Sequence, residues 1–216
     1  MNLKAEDRLG QFAMLAVFAL IWLTQILRLA QLWLMRDHIP FWGLALVSQV
    51  LATLFVMFVL LFTLRRLPVR DAATGLAPRL VAVLGTFVMM AMVALPVAET
   101  PPALRLVATL LVVAGTALSI HVLRALGRSF AIMATSRALV TTGPYGVVRH
   151  PLYGVELITM AGVMLGNLSI WSAGLFLLWL VLQIRRADYE EAVLRASFPD
   201  YADYARRVPR FIPRLG

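Results

Sequence analysis

Four long apolar runs alternate with short polar breaks along the first 126 residues of this chain, and a fifth, overlong run follows a compact polar stretch. Gln11 to Met35 is the first run, interrupted by Gln25, Arg28 and Gln31. Phe41 to Leu64 is the second, Arg79 to Ala98 the third, with Pro96 near its end, and Ala103 to Leu126 the fourth, carrying His121. Each is long enough to cross about 30 Å of hydrocarbon at about 1.5 Å of rise per residue. Between them lie a polar start at Met1–Gly10, a tight turn at Arg36–Pro40, a hydrophilic linker at Arg65–Pro78 and a Pro-rich turn at Glu99–Pro102. The fifth run, Leu152 to Ile184, is too long for one straight span, and Gly166-Asn167-Leu168-Ser169 breaks it near the middle. It reads as a hairpin of two short helices, continued by an amphipathic helix to Phe198 and a basic, tyrosine-containing tail.

This pattern predicts an all-α, polytopic membrane helix bundle with about six transmembrane helices and a C-terminal helical hairpin. Composition agrees, because 61% of the 216 residues are hydrophobic and only 14% charged, against about 25% charged in soluble domains. The first run is too long for a signal-peptide core and lacks a small-residue cleavage site, so it reads as a retained helix. With no cysteine in the sequence there is no disulfide framework, thiolate metal site or cysteine nucleophile. No zinc-binding HExxH, paired His/Asp spacing or phosphate-binding glycine pattern occurs either, so no metal site is expected.

The net charge of +9 raises the question of nucleic acid. Placing both termini and the Arg65–Arg79 and Arg124–Arg149 stretches on the cytoplasmic side puts 17 of the 20 basic residues there. Arg36 and Arg105 fall outside and Arg28 lies within a span. The charge is thus an orientation signal, and no nucleic-acid partner is needed.

The polar residues that stand out belong to Gly143-Pro144-Tyr145-Gly146-Val147-Val148-Arg149-His150-Pro151-Leu152-Tyr153. Pro and Gly fix a turn there, and Pro151 suits the first turn of the following helix, where its missing N–H costs nothing. A hairpin returns its second end beside its first, so His150 and Tyr153 are expected to come back near Arg185, Arg186 and Glu190. Arg186 and Glu190 are four apart and share a helix face, which as a plain exposed ion pair is worth about 0.3–0.5 kcal/mol. Asp188 and Glu191 point elsewhere. Glu156, inside a span, is a costly placement that suggests function. His121, a turn before Arg124, has no such argument, and Met89-Met90-Ala91-Met92 reads as helix packing.

Taken in order, several of these elements resemble a known family, the integral-membrane isoprenylcysteine carboxyl methyltransferases and their bacterial phospholipid-methyltransferase-like relatives. Leu126-Gly127-Arg128-Ser129-Phe130, Leu139 to Tyr145, Arg149-His150-Pro151-Leu152-Tyr153, Arg186 with Glu190-Glu191, and Phe198-Pro199-Asp200-Tyr201 with Tyr204 and Val208-Pro209 carry the resemblance. It covers roughly Leu123 to Pro213 and divides the chain into N-terminal transmembrane helices for acceptor access (1–122) and a methyltransferase core (123–216). The segment between Phe130 and Leu139 is shorter than in the eukaryotic enzymes, and the tail loop is a residue shorter than usual.

The resemblance implies S-adenosylmethionine as cofactor in a cytoplasmic pocket, with a lipophilic small molecule or lipid as acceptor, entering from the bilayer. By position it assigns Ala138, Leu139, Val140 and Tyr145 to the cofactor wall, continued by His150, Pro151, Leu152 and Tyr153. It gives Glu190 to cofactor binding and Arg186 to the acceptor, the two together being the catalytic pair. The cofactor's carboxylate wants His150 or an arginine and its ammonium wants Glu190. The acceptor stays open between an isoprenoid-linked carboxylate, a phospholipid amine, for which Glu190, Glu191 or Glu156 are candidate bases, and a small thiol. Membrane sterol reductases share an RHPxY-like element, so an NADPH-dependent reductase is the alternative; a transporter with Arg28, His121 and Glu156 along a polar path is a third reading. Acceptor identity and oligomeric state are not encoded in these motifs.

Overall fold

The computed structural model describes residues 3–39 and 41–214. Helix α1 (Leu3–Leu34) begins at Leu3, so the expected polar start is helical, with Glu6 in the first turn facing the positive end of the helix dipole; Met1 and Asn2 lie outside the described residues. A single 3-10 turn, Arg36–His38, leads toward α2 (Trp42–Leu64), and Pro40, part of the expected turn, is outside the described residues. The polar residues inside these runs pair the two helices in antiparallel order. Gln11 Nε2 donates to Thr63 O (2.7 Å), Gln49 Nε2 to Gln25 Oε1 (2.6 Å) and Trp42 Nε1 to Leu32 O (3.0 Å). In hydrocarbon such groups have few other partners, which is why they face a neighbouring helix. Arg28 and His121 are exposed.

The third span differs from its expected bounds. Helix α3 (Leu76–Phe87) starts inside the stretch read as linker and gives way to a 3-10 segment, Val88–Ala94. Pro78 is tolerated in the first turn. Before Pro96, Leu95 is extended (φ −77°, ψ 149°), because the proline ring disfavours helical geometry in the residue that precedes it. Met89 and Met92 pack with Trp179, as the methionine run suggested. The linker also holds an element the apolar pattern does not predict. Strand β1 (Asp71–Ala72) pairs antiparallel with β2 (Thr135–Ser136), Asp71 opposite Ser136.

Helix α4 (Pro102–Leu126) packs along α5 (Pro151–Gly166) through small residues. A Cβ on Gly115 would meet Thr159 N at 2.6 Å, and one on Gly162 would meet Ala108 O at 2.7 Å. Backbone atoms cannot step aside, so Gly162→Ala is expected to cost about 1–3 kcal/mol and to lower the melting temperature in detergent; an unchanged melt would mean the helices are not this close. The expected break between the hairpin helices is present. Ser169 caps α6 (Ile170–Ser197) by accepting from Ser172 N (3.1 Å), while Ser172 Oγ accepts from Ser169 N (2.9 Å). Helix α6 is one continuous rod through the amphipathic part, and α7 (Tyr201–Arg207) closes the chain.

Among the described residues five helices are long and apolar enough to cross a membrane: α1, α2, α3 with its 3-10 extension, α4 and α6. Helix α5, at 16 residues, is the shorter sixth. The chain is an all-α membrane bundle with one minimal two-stranded sheet.

Candidate active site

Gly143 adopts a left-handed φ of +60° and opens a 3-10 turn through Gly146, a geometry a Cβ would strain. The turn delivers Arg149 and His150 to the C-terminal tail. Arg149 N donates to Pro209 O (2.8 Å) and His150 N to Arg210 O (3.1 Å). The Arg149 side chain adds Nη1 bonds to Ala205 O and Val208 O, both 2.8 Å, and an Nε bond to Glu191 Oε1 (3.0 Å). Glu191 also takes His150 Nε2 (3.1 Å) and Arg195 Nη2 (2.7 Å), and Arg210 Nε stands 3.3 Å away. An acid among so many cationic donors is ionised and can only accept, so the His150 proton facing it sits on Nε2. The His150 ring lies parallel to Tyr153 and against Phe211, each at 5.5 Å between centroids. The segment before the hairpin and the helix leaving it therefore meet.

Behind this junction lies a cavity of about 430 Å³. Its polar end is walled by His150, Tyr153, Glu190, Tyr145 and Tyr201. Its apolar lining includes Phe18, Phe55, Met160, Val163 and Trp179, from α1, α2, α5 and α6. Tyr153 donates its hydroxyl to Glu190 Oε1. Arg186, 8% exposed, sits over the Tyr153 ring at 5.2 Å and donates to Gln183 Oε1 (3.0 Å) and Ile132 O (3.2 Å). Gln183 Nε2 in turn donates to Glu156 Oε2 (3.2 Å). Gly85 on α3 makes room for the arginine, since a Cβ there would meet Arg186 Cδ at 2.8 Å. Tyr204 donates to Tyr145 O (2.7 Å), and burial raises its hydroxyl to about 12; the Tyr145 and Tyr201 hydroxyls are pushed up further by burial. All three stay protonated donors at neutral pH.

Nine of the ten residues singled out from the sequence line this cavity: Ala138, Leu139, Val140, Tyr145, His150, Leu152 and Tyr153 on one side, Arg186 and Glu190 on the other. Pro151 is buried as the first residue of α5 instead. The bland picture of Arg186 and Glu190 as an exposed ion pair does not hold, because Arg186 is buried and bonds to Gln183 and Ile132 while Glu190 is taken by Tyr153. Glu191 does lie apart from Glu190, as spacing requires, yet it is the anchor of the RHP turn. Asp188 pairs with Arg210 (2.5 Å).

Spacing gave no signal for Gln183, Tyr201 or Arg137, which also line the cavity. Arg137, 4% exposed, is held by Asp7 of α1 (Nη2 to Oδ1, 2.6 Å) and donates to Leu67 O. Arg66 shares the same carboxylate at 2.8 Å. Among the described residues no group of three His, Cys, Asp or Glu side chains is placed to hold a metal ion.

A sequence model of the family described as phospholipid methyltransferase matches residues 104–200, the stretch from α4 through α6 that builds one wall of the cavity. The matched segment is 97 of the 216 residues, and it is similar to that family. This family segment covers the RHP turn and the Arg186–Glu190 face, and it ends before α7. The chain is 38% identical over 95 residues to protein-S-isoprenylcysteine O-methyltransferase B of Arabidopsis thaliana, covering 40% of this chain and 48% of that protein. It is 42% identical over 84 residues to the nickel-cobalt-cadmium resistance protein NccN of Alcaligenes xylosoxydans xylosoxydans, and 39% identical over 82 residues to the cobalt-zinc-cadmium resistance protein CzcN of Cupriavidus metallidurans. Each of these two matches covers 37% of this chain and 38% of the relative, so the chain spans less than half the length of each of the three relatives it matches.

Proposed function

We infer that this chain is an integral-membrane methyltransferase that uses S-adenosylmethionine to methylate a lipophilic acceptor. The observation that carries the reading is one continuous cavity with a polar end built from the RHP turn and α6, and an apolar arm between the helices. Its volume of about 430 Å³ falls in the roughly 300–1,000 Å³ range of small-molecule sites. The residues fit the donor: Glu190 offers a carboxylate to a cationic ligand, and Leu139 and Val140 an apolar face. The match of residues 104–200 to the phospholipid methyltransferase model supports methyl transfer over an NADPH-dependent reductase. S-adenosylmethionine supplies a methyl group on a positively charged sulfur, which leaves as a neutral thioether once an acceptor heteroatom takes the methyl.

The chain's own residues contribute position and dryness more than proton chemistry. Tyr153 fixes the Glu190 carboxylate, and the tail stapled by Arg149 and Glu191 closes the polar end. Arg186, held by Gln183 and Ile132 O, aims a fixed cation at the start of the apolar arm, where it orients an anionic acceptor such as an isoprenoid-linked carboxylate. A phospholipid amine or a thiol has to lose a proton instead, and Glu156 beside Gln183 is the group to take it. The bias of basic residues toward this end of the bundle supports a cytoplasmic site and cytoplasmic termini.

Calorimetry in detergent tests the reading. Wild type is expected to bind S-adenosylhomocysteine with micromolar affinity and to ignore NADPH; binding of NADPH alone would reject methyl transfer. Arg186→Ala is expected to keep that affinity within about threefold while losing turnover, since its guanidinium serves the acceptor side. Turnover that survives Arg186→Ala but falls with Glu156→Gln would assign an amine or thiol acceptor.

A further inference from the structure

Among the described residues, four buried side-chain donors in the cavity wall have no hydrogen-bond partner: Thr135 Oγ1, Arg137 Nε, Arg186 Nε and the Tyr201 hydroxyl. Arg186 has its place in the acceptor arm. The other three come from one neighbourhood. Thr135 opens β2 and Arg137 is the residue that follows the strand, and both line the cavity. Ser136 between them is fully buried and hydrogen-bonds Ser197 at 2.6 Å, four residues before Tyr201. All three side chains reach the cavity.

Unpartnered donors in a buried place are costly, and buried polar groups are almost always paired. Tyr201 makes the point by contrast with Tyr204. Both are buried, but Tyr204 spends its hydroxyl on Tyr145 O, whereas that of Tyr201, at 1% exposure, finds nothing. Burial and the Glu191 carboxylate keep the Tyr201 proton in place despite the nearby Arg149 and Arg195, so the group donates. Charge points the same way. Asp7 is a single carboxylate shared by Arg66 and Arg137, which leaves one positive charge over. Burial and the neighbouring Arg137 both act to lower the Arg66 pKa, as expected of a site short of negative charge.

We propose that Thr135, Arg137 and Tyr201 form an anion subsite in the cavity wall, which takes a carboxylate or a phosphate. The occupant is either the carboxylate of the methyl donor or the phosphate of an acceptor headgroup. The first rests on the methyl-transfer reading; the second stands without it. Asp7 lies far outside the matched segment 104–200 and Tyr201 directly follows it, so the subsite joins that segment to the first helix. Because Asp7 belongs to α1, the subsite also ties the first helix to ligand binding.

Calorimetry on the full chain in detergent tests this with three probes: S-adenosylhomocysteine, 5′-methylthioadenosine, which lacks the amino-acid end, and inorganic phosphate. Tyr201→Phe and Thr135→Val remove one unpartnered hydroxyl each and are expected to melt no lower than wild type. If the donor carboxylate is the occupant, each variant binds S-adenosylhomocysteine about 5–10-fold more weakly, and methylthioadenosine as wild type does. If a headgroup phosphate is the occupant, phosphate affinity falls and S-adenosylhomocysteine affinity holds. Variants that bind all three probes as wild type does overturn the proposal. So does a Tyr201→Phe protein that melts well below wild type, because its hydroxyl then has a structural partner. A wild type that fails to bind S-adenosylhomocysteine sinks the methyl-transfer reading, while the phosphate arm still decides the subsite.

Discussion

Glu191→Ala is expected to loosen the whole C-terminal closure of the site. The wild-type carboxylate accepts from Arg149, His150 and Arg195 and faces Arg210. Removing it leaves the half-buried Arg149 without its counter-charge and the buried His150 without its acceptor, and breaking such a pair by deleting one partner costs about 3–5 kcal/mol. For a chain of this size each kcal/mol is worth about 2–4 °C, so an apparent melting temperature about 10 °C lower is expected in detergent. Arg149→Ala acts on the same unit, since it also gives up the Ala205 and Val208 carbonyls. The double variant is therefore expected to cost clearly less than the sum of the two singles. A Glu191→Ala protein that melts within about 2 °C of wild type would mean that the tail is held elsewhere.

Glu190→Gln is expected to do the opposite: keep the fold and lose the chemistry. The substitution preserves the shape and the oxygen that Tyr153 donates to, and removes the negative charge at the polar end of the cavity. Hydrogen bonds to charged groups are worth about 1.5–3 kcal/mol, so affinity for S-adenosylhomocysteine is expected to fall about 10–100-fold, with an unchanged melt. Tyr153→Phe, which frees Glu190 without neutralising it, is expected to lose less. Equal affinity in wild type and Glu190→Gln would remove Glu190 from the donor site.

The adjacent pair Glu190 and Glu191 illustrates what was legible in the sequence. Successive helix residues point about 100° apart, so Glu190 falls on the Arg186 face by spacing alone and Glu191 on another, although His150 lies within 4 Å of both (3.9 and 3.1 Å). That Glu191 anchors the RHP turn depends on where the tail folds, which a spacing rule does not contain. Strong local signals were readable: the apolar runs, the Gly166–Ser169 break, and Pro151 opening α5. Pairings between distant segments were not. Asp7 meets Arg137 across 130 residues and β1 meets β2 through two residues apiece, contacts too short to leave a periodic trace. The 3-10 half of the third span escaped for a related reason, because apolar content looks the same in a 3-10 segment as in an α-helix.

Photo-crosslinking tests the central claim most directly, that the donor sits where the RHP turn meets α6. Purified protein in detergent is irradiated with S-adenosylmethionine labelled in its methyl group, digested and mapped, with excess S-adenosylhomocysteine as competitor. Competed label is predicted in peptides from residues 138–153 and 186–204. Label confined to the peptides of α1, α2 or α4, or label that the competitor leaves untouched, would contradict it.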